Sequence, residues 1–264
     1  YIFKKGIEIF FAHLSFKWTN NAKKNAGVSV VVIGLQNIAK TPKYIYTGSV
    51  LVSVENINAY LAQGKNIFVY KRSLSISDLP KMISGNKPVD GGNLILSESE
   101  KNNIISSNPE SEKFIRKFVG AKEFMNGKIR YCLWIKDEDL LEAIDNEIIR
   151  DHIERTKEFR LNSKDKGAQE LALKAHQFRD FFYSNKSTLL IPQTGSERRD
   201  YIPIGFLDSK TILSNGVRTI FDSEPWIFGL LSSKMHITWI KTVAGRLKMD
   251  MQYSNTLCYN TFPF

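Results

Sequence analysis

Apolar positions along the chain follow two periods, which separate segments that read as strands from segments that read as helices. Residues 7–12 form a short apolar run, and residues 28–35 (VSVVVIGL) a continuous β-branched one. The second run has the pattern of a strand buried on both faces, as in a parallel α/β sheet. Residues 44–54 alternate and read as one strand, while residues 56–62 (NINAYLA), ahead of Gly64, read as a short helix. The turn cluster at 86–92 (NKPVDGG) is the first plausible boundary. Beyond it the pattern predicts a brief extended piece at 93–96 and helices at 97–103 and 111–118, the latter capped by Ser111 after a proline. An aromatic-rich strand follows at 128–135 (KIRYCLWI).

Leu140, Leu141, Ile144 and Ile148 predict an amphipathic helix over 137–161, and Leu171, Ala175, Phe178 and Phe182 a second over 167–183. His152 and His176 lie on these helices and receive no role. Short strands are expected at 188–191, 201–205, 211–213 and 217–221, then a helix over 224–240 with Pro225 in its first turn. At the end of the chain Leu247, Met249, Met251 and Tyr253 alternate with Arg246, Lys248, Asp250, Gln252 and Ser254. That is period two, one strand with an apolar and a polar face. Aspartate is a poor strand residue, so Asp250 calls for a reason. A solvated face with a weak Lys–Asp ion pair is one, and a binding surface is another.

Charge sharpens this picture. The 264 residues carry a formal charge of +10, yet residues 137–160 alone hold nine acids and four bases, so the remainder sums to +15. A basic surface concentrated outside one acidic helix favours a polyanionic partner. Cys132 and Cys258 are too few for a zinc cluster, sit in apolar contexts (YCLWI and TLCYN), and read as buried thiols in a reducing compartment. There is no apolar run of transmembrane length, no signal peptide, no glycine-rich or P-loop phosphate motif and no metal-ligand cluster. The eight prolines are never doubled. The chain starts without methionine at Tyr1 and stops at Phe264, and both ends read as cuts in a longer protein.

Three segments carry a resemblance to a known family: IPQTGSERRDYIPIGFL (191–207), EPWIFGLLSSKMHITWIKTVAGRLK (224–248) and YSNTLCYNTFPF (253–264). They are similar to the target-recognition region of the MmeI-like (type IIL) restriction–modification enzymes, adenine-N6 DNA methyltransferases. Residues 6–35 resemble the last part of the methyltransferase domain in that family, and GNKPVDGGNLIL (85–96) its linker into the recognition region.

The resemblance implies an α/β chain: the end of a Rossmann-like methyltransferase sheet and connector at 1–84, then a mixed α/β target-recognition domain at 85–264. It implies double-stranded DNA and the upstream methyltransferase domain of the same chain as partners, a monomeric fragment, no membrane, and a bacterial cytoplasmic location. It also implies S-adenosylmethionine as cofactor of the parent protein, none in this fragment. The donor loop and the Asn/Asp-Pro-Pro-Tyr/Phe stretch of the N6-adenine class are missing here, so no catalytic residue is assigned.

Amino-methyltransferases of this kind place a loop near residues 15–27 against the target base, which must leave the duplex and stack on an aromatic face. Phe16 and Trp18 are the candidates, with Lys17, Lys23 and Lys24 facing phosphate; rings that cap a sheet edge and ordinary surface lysines remain the other reading. Arg198, Arg199 and Arg246 suit phosphate contacts, while Glu197 and Asp200 make a structural salt bridge around the arginine pair equally open. Lys248, Asp250 and Gln252 match the family positions that choose bases. A lysine donates to guanine and a carboxylate accepts from cytosine, so Lys248 with Asp250 suits one G·C pair. The rival classes are a module that docks a nuclease or specificity subunit, marked by a large exposed apolar patch, and a nonspecific nucleic-acid binder with stacking aromatics along a groove.

Overall fold

The structure, a computed structural model, describes residues 2–18, 28–196, 198–247 and 250–264. Contacts divide the chain into two compact units. The first comprises Tyr1–Ser77, Ser196–Arg199 and Thr238–Phe264; the second comprises Asp78–Gly195 and Asp200–Ile237. This partition by contacts is a different one from the division at residue 84 that the resemblance implies.

The first unit opens with strands β1 (Ile7–Lys17), β2 (Ser29–Asn37), β3 (Lys43–Thr47) and β4 (Val50–Val54), in sheet order β2-β1-β3-β4. Only β1 and β3 pair in parallel; β2 is an edge strand antiparallel to β1. This corrects the reading of 28–35 as doubly buried. Val31 is 46% exposed, and Val32, Ile33 and Leu35 are exposed with it. A run of β-branched residues encodes an extended backbone, but which layers cover it is not a local property. The glycine in this strand has a local reason, because a Cβ on Gly34 would lie 2.2 Å from the ring of Phe11, its register partner.

Residues 44–54 form a hairpin and not one strand, turning at Gly48 (φ +59°) with Thr47 opposite Val50. A two-residue turn leaves the period-two count unbroken, so alternation conceals it. Residues 56–62 are not helical. Asn58 Oδ1 accepts from the N–H groups of Tyr60 (2.9 Å) and Ala62 (3.3 Å), Leu61 takes a positive φ, and Ile57 bridges to Gln63. An asparagine that satisfies nearby N–H groups competes with helix formation. Ile9, Ala12, Ile45, Val54 and Ile57 form the core here. Beside it the buried Glu8 meets Lys43 at 3.2 Å and accepts from Gln36 and the Ala39 N–H. Burial alone would raise the Glu8 carboxyl; these donors outweigh it and hold the group below its ordinary range.

In the second unit follow β5 (Ile83–Ser84), β6 (Ile95–Leu96), α1 (Glu98–Ser107), β7 (Ile115–Val119), α2 (Ala121–Asn126), β8 (Arg130–Leu133), α3 (Leu140–Ala143), α4 (Glu147–Leu161) and α5 (Lys166–Glu170). Then come β9 (Thr188–Pro192), β10 (Thr194–Ser196, whose last residue belongs to the first unit), β11 (Gly205–Leu207), β12 (Thr211–Leu213), β13 (Val217–Phe221) and α6 (Pro225–Leu231). Two sheets result, in orders β11-β9-β13-β5 and β12-β7-β8-β6. The expected strand at 201–205 begins only at Gly205.

Buried polar side chains reshape the helices. Residues 111–118 make a short 3-10 turn capped by Asn108 and then β7, not a helix. The helix expected over 137–161 breaks at Asn146. Its Oδ1 caps α4 by accepting from Ile148 and Ile149, and its Nδ2 donates to Ile104 O, Ser107 Oγ and Ser111 Oγ. The buried face is accordingly Ile149, His152, Thr156 and Arg160, whereas Leu141 is 78% exposed.

The helix expected over 167–183 stops after α5 and a 3-10 turn. The carbonyls of Leu171, Lys174 and Gln177 converge with those of Pro88 and Val89 on the guanidinium of buried Arg160, at 2.6–3.0 Å. Carbonyls of a straight helix run parallel to its axis and cannot converge on one group. Fully buried Leu94, Leu96, Cys132, Leu133, Ile135 and Ile149 pack the core. Trp134 stacks on Phe181 at 3.8 Å. Both cysteines are buried thiols, as expected.

Residues 224–240 are likewise two helices, α6 and α7 (Lys234–Val243), separated at Ser232–Ser233, with Ser233 Oγ accepting from the His236 N–H. α7 begins in the second unit and ends in the first. The chain closes with β14 (Gly245–Leu247), β15 (Asp250–Gln252) and the π-helical turn Asn255–Tyr259. The expected single strand at the end of the chain is therefore a hairpin.

Candidate nucleic-acid interface

β1 carries the first group of candidate residues to its end. Phe16 is 38% exposed and pairs with Val30; Trp18, 46% exposed, donates its N–H to Val28 O at 2.8 Å. Lys17 is the exposed last residue of the strand. Between His13 and Phe16 the β1–β2 register slips. Such bulges bend a strand and re-aim its side chains, often next to active sites. Lys23 and Lys24 fall outside the described residues.

Two residues that the sequence reading left unassigned stand behind Phe16. His13 stacks on Tyr46 with ring centroids 4.2 Å apart and planes 13° apart, and presents an edge to Phe16 at 6.3 Å. Parallel pairing places His13 directly opposite Tyr46. The available signal was the same-face spacing of Phe11 with His13 and of Tyr44 with Tyr46, which becomes an aromatic ladder only once β1 and β3 are known to be neighbours.

The hairpin redistributes the second group. Gly245 faces Gln252, Arg246 faces Met251, and Leu247 faces Asp250. Directly opposed residues share a face of the ribbon. Asp250 and Gln252 thus share theirs with Leu247, which is 64% exposed, while Arg246 lies on the face of buried Met251. This corrects the single polar face expected for Arg246, Lys248, Asp250 and Gln252; the pairing joins odd positions of β14 to even positions of β15. Lys248 lies outside the described residues. Arg246 donates to Lys241 O at 3.3 Å.

The strand ending at Ser196, β10, neighbours β15 in the order β10-β15-β14. Arg198 and Arg199 follow it, exposed and without a carboxylate partner among the described residues. The carboxylate of Asp200 lies 3.5 Å from Lys234. Phe16, Lys17, Trp18, Arg198, Arg199, Arg246, Asp250 and Gln252 all belong to the first unit, although more than two hundred positions separate the ends of that set.

No strand among β1–β4 runs through a glycine-bearing turn into a helix. No group of three His, Cys, Asp or Glu side chains that could hold a metal exists among the described residues, and none of their helices is long and apolar enough to cross a membrane.

Residues 63–264 match the family model "MmeI, target recognition domain", and residues 1–47 match "MmeI, DNA-methyltransferase domain". "DNA methyltransferase A" of Bacillus subtilis (strain 168) is 45% identical over 263 residues, 99% of this chain and 30% of that protein. Among solved structures, the type IIL restriction-modification enzyme MmeI in complex with DNA superposes with a TM-score of 0.86 at 41% identity, over 98% of this chain and 35% of that one. The chain thus spans about a third of the length of these relatives.

Proposed function

The chain belongs to the MmeI family, as a target-recognition domain preceded by the tail of a methyltransferase domain, and on that premise we propose that it recognises a specific sequence in double-stranded DNA and presents an adenine to the catalytic part of its parent protein. The observation that carries this reading is the gathering of the candidate stacking, phosphate and base-reading residues into one compact unit of a chain matched by the recognition model.

Within this reading the functional division falls at residue 84. Phe16, aimed by the β1 bulge, stacks on the displaced adenine, and Trp18 flanks it. Lys17, Lys23, Arg198, Arg199 and Arg246 hold phosphates, which fixes register without reading sequence. The exposure of the arginine pair, and the engagement of Asp200 by Lys234, support that role over a structural salt bridge. Asp250 and Gln252 on one hairpin face, together with Lys248, read bases in the major groove. S-adenosylmethionine binds the upstream part of the parent, since the donor motifs are missing from this chain. The exposed apolar residues of β2 and β4 support a junction with that same upstream domain over the docking of a separate subunit. The protein works as a bacterial cytoplasmic monomer.

Methylome sequencing of cells that express the full-length parent tests the reading. One motif modified at adenine is the expected result. Exchanging polarity with Lys248→Glu and Asp250→Arg should turn G·C into C·G at one position of that motif, because each group then meets the opposite base edge. Methylation without a motif would overturn the proposal.

A further inference from the structure

The sheet β12-β7-β8-β6 of the second unit carries a groove of about 590 Å³ lined by residues with no role so far, among them Lys101, Lys113, Arg116, Lys117, Lys210 and Tyr131. Five cations meet two lining acids, Glu110 and Glu112. The pairing explains the arrangement. Lys117 on β7 stands opposite Thr211 of β12 on one side and Tyr131 of β8 on the other, so the three share one face. Lys210 immediately precedes Thr211, and the Lys101 ammonium sits over the Tyr131 ring at 4.5 Å. Lys117 on the middle strand is thus flanked by Lys101, held over the Tyr131 ring of one neighbouring strand, and by Lys210, at the start of the other, in one groove across three strands about 10 Å wide at ordinary strand spacing.

Several of these groups are held in place without losing their charge. Tyr131 fixes Lys101 by a cation–π contact. Arg116 Nη1 donates to the carbonyls of Lys113 and Ile115 at 2.9 and 3.1 Å. Lys113 is paired with Glu142, whereas Lys117 and Lys210 have no carboxylate partner among the described residues. Ile105, Pro109 and Ile115 supply an apolar floor between the charges.

We propose that this groove is a second DNA-contacting surface, which holds one sugar–phosphate strand through Lys101, Lys117 and Lys210 and reads no bases. Each strand of B-DNA carries one phosphate per about 3.4 Å of helix axis, so a groove about 10 Å wide can meet more than one of them. Lysine ammonium groups bind phosphate as point charges and need no fork geometry. Sugars present apolar edges to the floor between the charges. Five cations beside only two acids, with an apolar floor between them, suit the alternating phosphates and sugars of a nucleic-acid strand. The inference rests on the DNA-binding reading and extends it to a surface with no part in sequence choice.

The test uses the full-length protein and a random-sequence duplex, with binding measured against salt concentration. Lys101→Gln, Lys117→Gln and Lys210→Gln together should make the slope of log affinity against log salt shallower by about 0.9 per lysine lost. The methylated motif should stay unchanged. Lys157→Gln, Lys164→Gln and Lys166→Gln, exposed lysines of the same unit outside the groove, provide an equal charge change and should leave the slope alone. If the triple variant melts early, Lys117→Gln alone should still lower the slope by about 0.9. An unchanged slope, or equal flattening by both triple sets, overturns the groove. So does loss of polyglutamate binding with DNA binding intact, which would identify an acidic protein partner. These outcomes leave the proposed function standing, whereas methylation without a motif removes that reading whatever the slope.

Discussion

The two units bury their residues differently. In the second unit Leu94, Leu96, Leu133 and Ile135 are fully buried, and even a guanidinium is enclosed with five backbone acceptors. In the first, both outer strands of the sheet show valines, leucine and isoleucine to solvent. Large exposed apolar patches are uncommon on free-standing domains and mark surfaces where something else packs. The sheets of the second unit close over a large core, whereas the sheet of the first leaves both outer strands open.

The comparison can be broken most decisively at Arg160. Its replacement by Met leaves the carbonyls of Pro88, Val89, Leu171, Lys174 and Gln177 without that donor. A buried acceptor left unsatisfied costs about 1–3 kcal/mol, so the loss should be at least that much. Urea unfolding followed by hydrogen exchange should show this loss in the second unit. A loss under about 1 kcal/mol, within the range of one ordinary hydrogen bond, would mean that the unit does not depend on this enclosure.

Acid should separate the units next. His236 is buried, which lowers its pKa from the ordinary 6.5 to about 3. Burial is also the main cause lowering His176, against the opposing pull of Asp137. A histidine whose folded value is depressed gives stability that is complete above its unfolded value and lost as pH falls towards the folded one. The second unit should therefore weaken from about pH 6.5 downward, by a few kcal/mol at most, and His236→Gln should remove most of that slope. Glu8 in the first unit has its pKa lowered from 4.5, so its contribution fades only below that point. Hydrogen exchange between pH 7 and 4 resolves the two. Simultaneous weakening of both units would collapse the distinction.

The smallest effect sharpens the contrast. Val31→Thr with Ile33→Thr, on the open edge strand, should shift stability by no more than about 0.5 kcal/mol. Leu133→Ala in the closed core should cost about 2–5 kcal/mol. Thermal melts of the two variants compare them directly. A large loss from the threonine pair would show that β2 already has a covering layer.

Much of this was legible in one dimension. Alternation and β-branched runs located β1, β2, β8, β12 and β13, the helix expected at 97–103 is α1, and the turn residues at 86–92 stand where the backbone takes positive φ at Val89, Gly91 and Gly92. The long family segments named the recognition domain. Each miss involved a side chain or a partner distant in sequence. Asn146 broke one helix because Ile104, Ser107 and Ser111 were there to accept its amide. Arg160 curled the next segment, from 11 to 17 residues away and from the 88–89 turn. At the site the chemical types were visible, but their grouping was not.

By itself the sequence determined which residues prefer extended or helical backbone, where the chain turns, and which cations and rings are available. Those depend on each residue and its near neighbours. The fold decided that β14 and β15 form a hairpin, which moves Arg246 to the other face from Asp250. It decided that His13 and Tyr46 stack behind Phe16, and that Lys117 and Tyr131 share a row with Thr211. These facts depend on which strands become neighbours, and pairing is set by burial over the whole unit rather than by any local pattern.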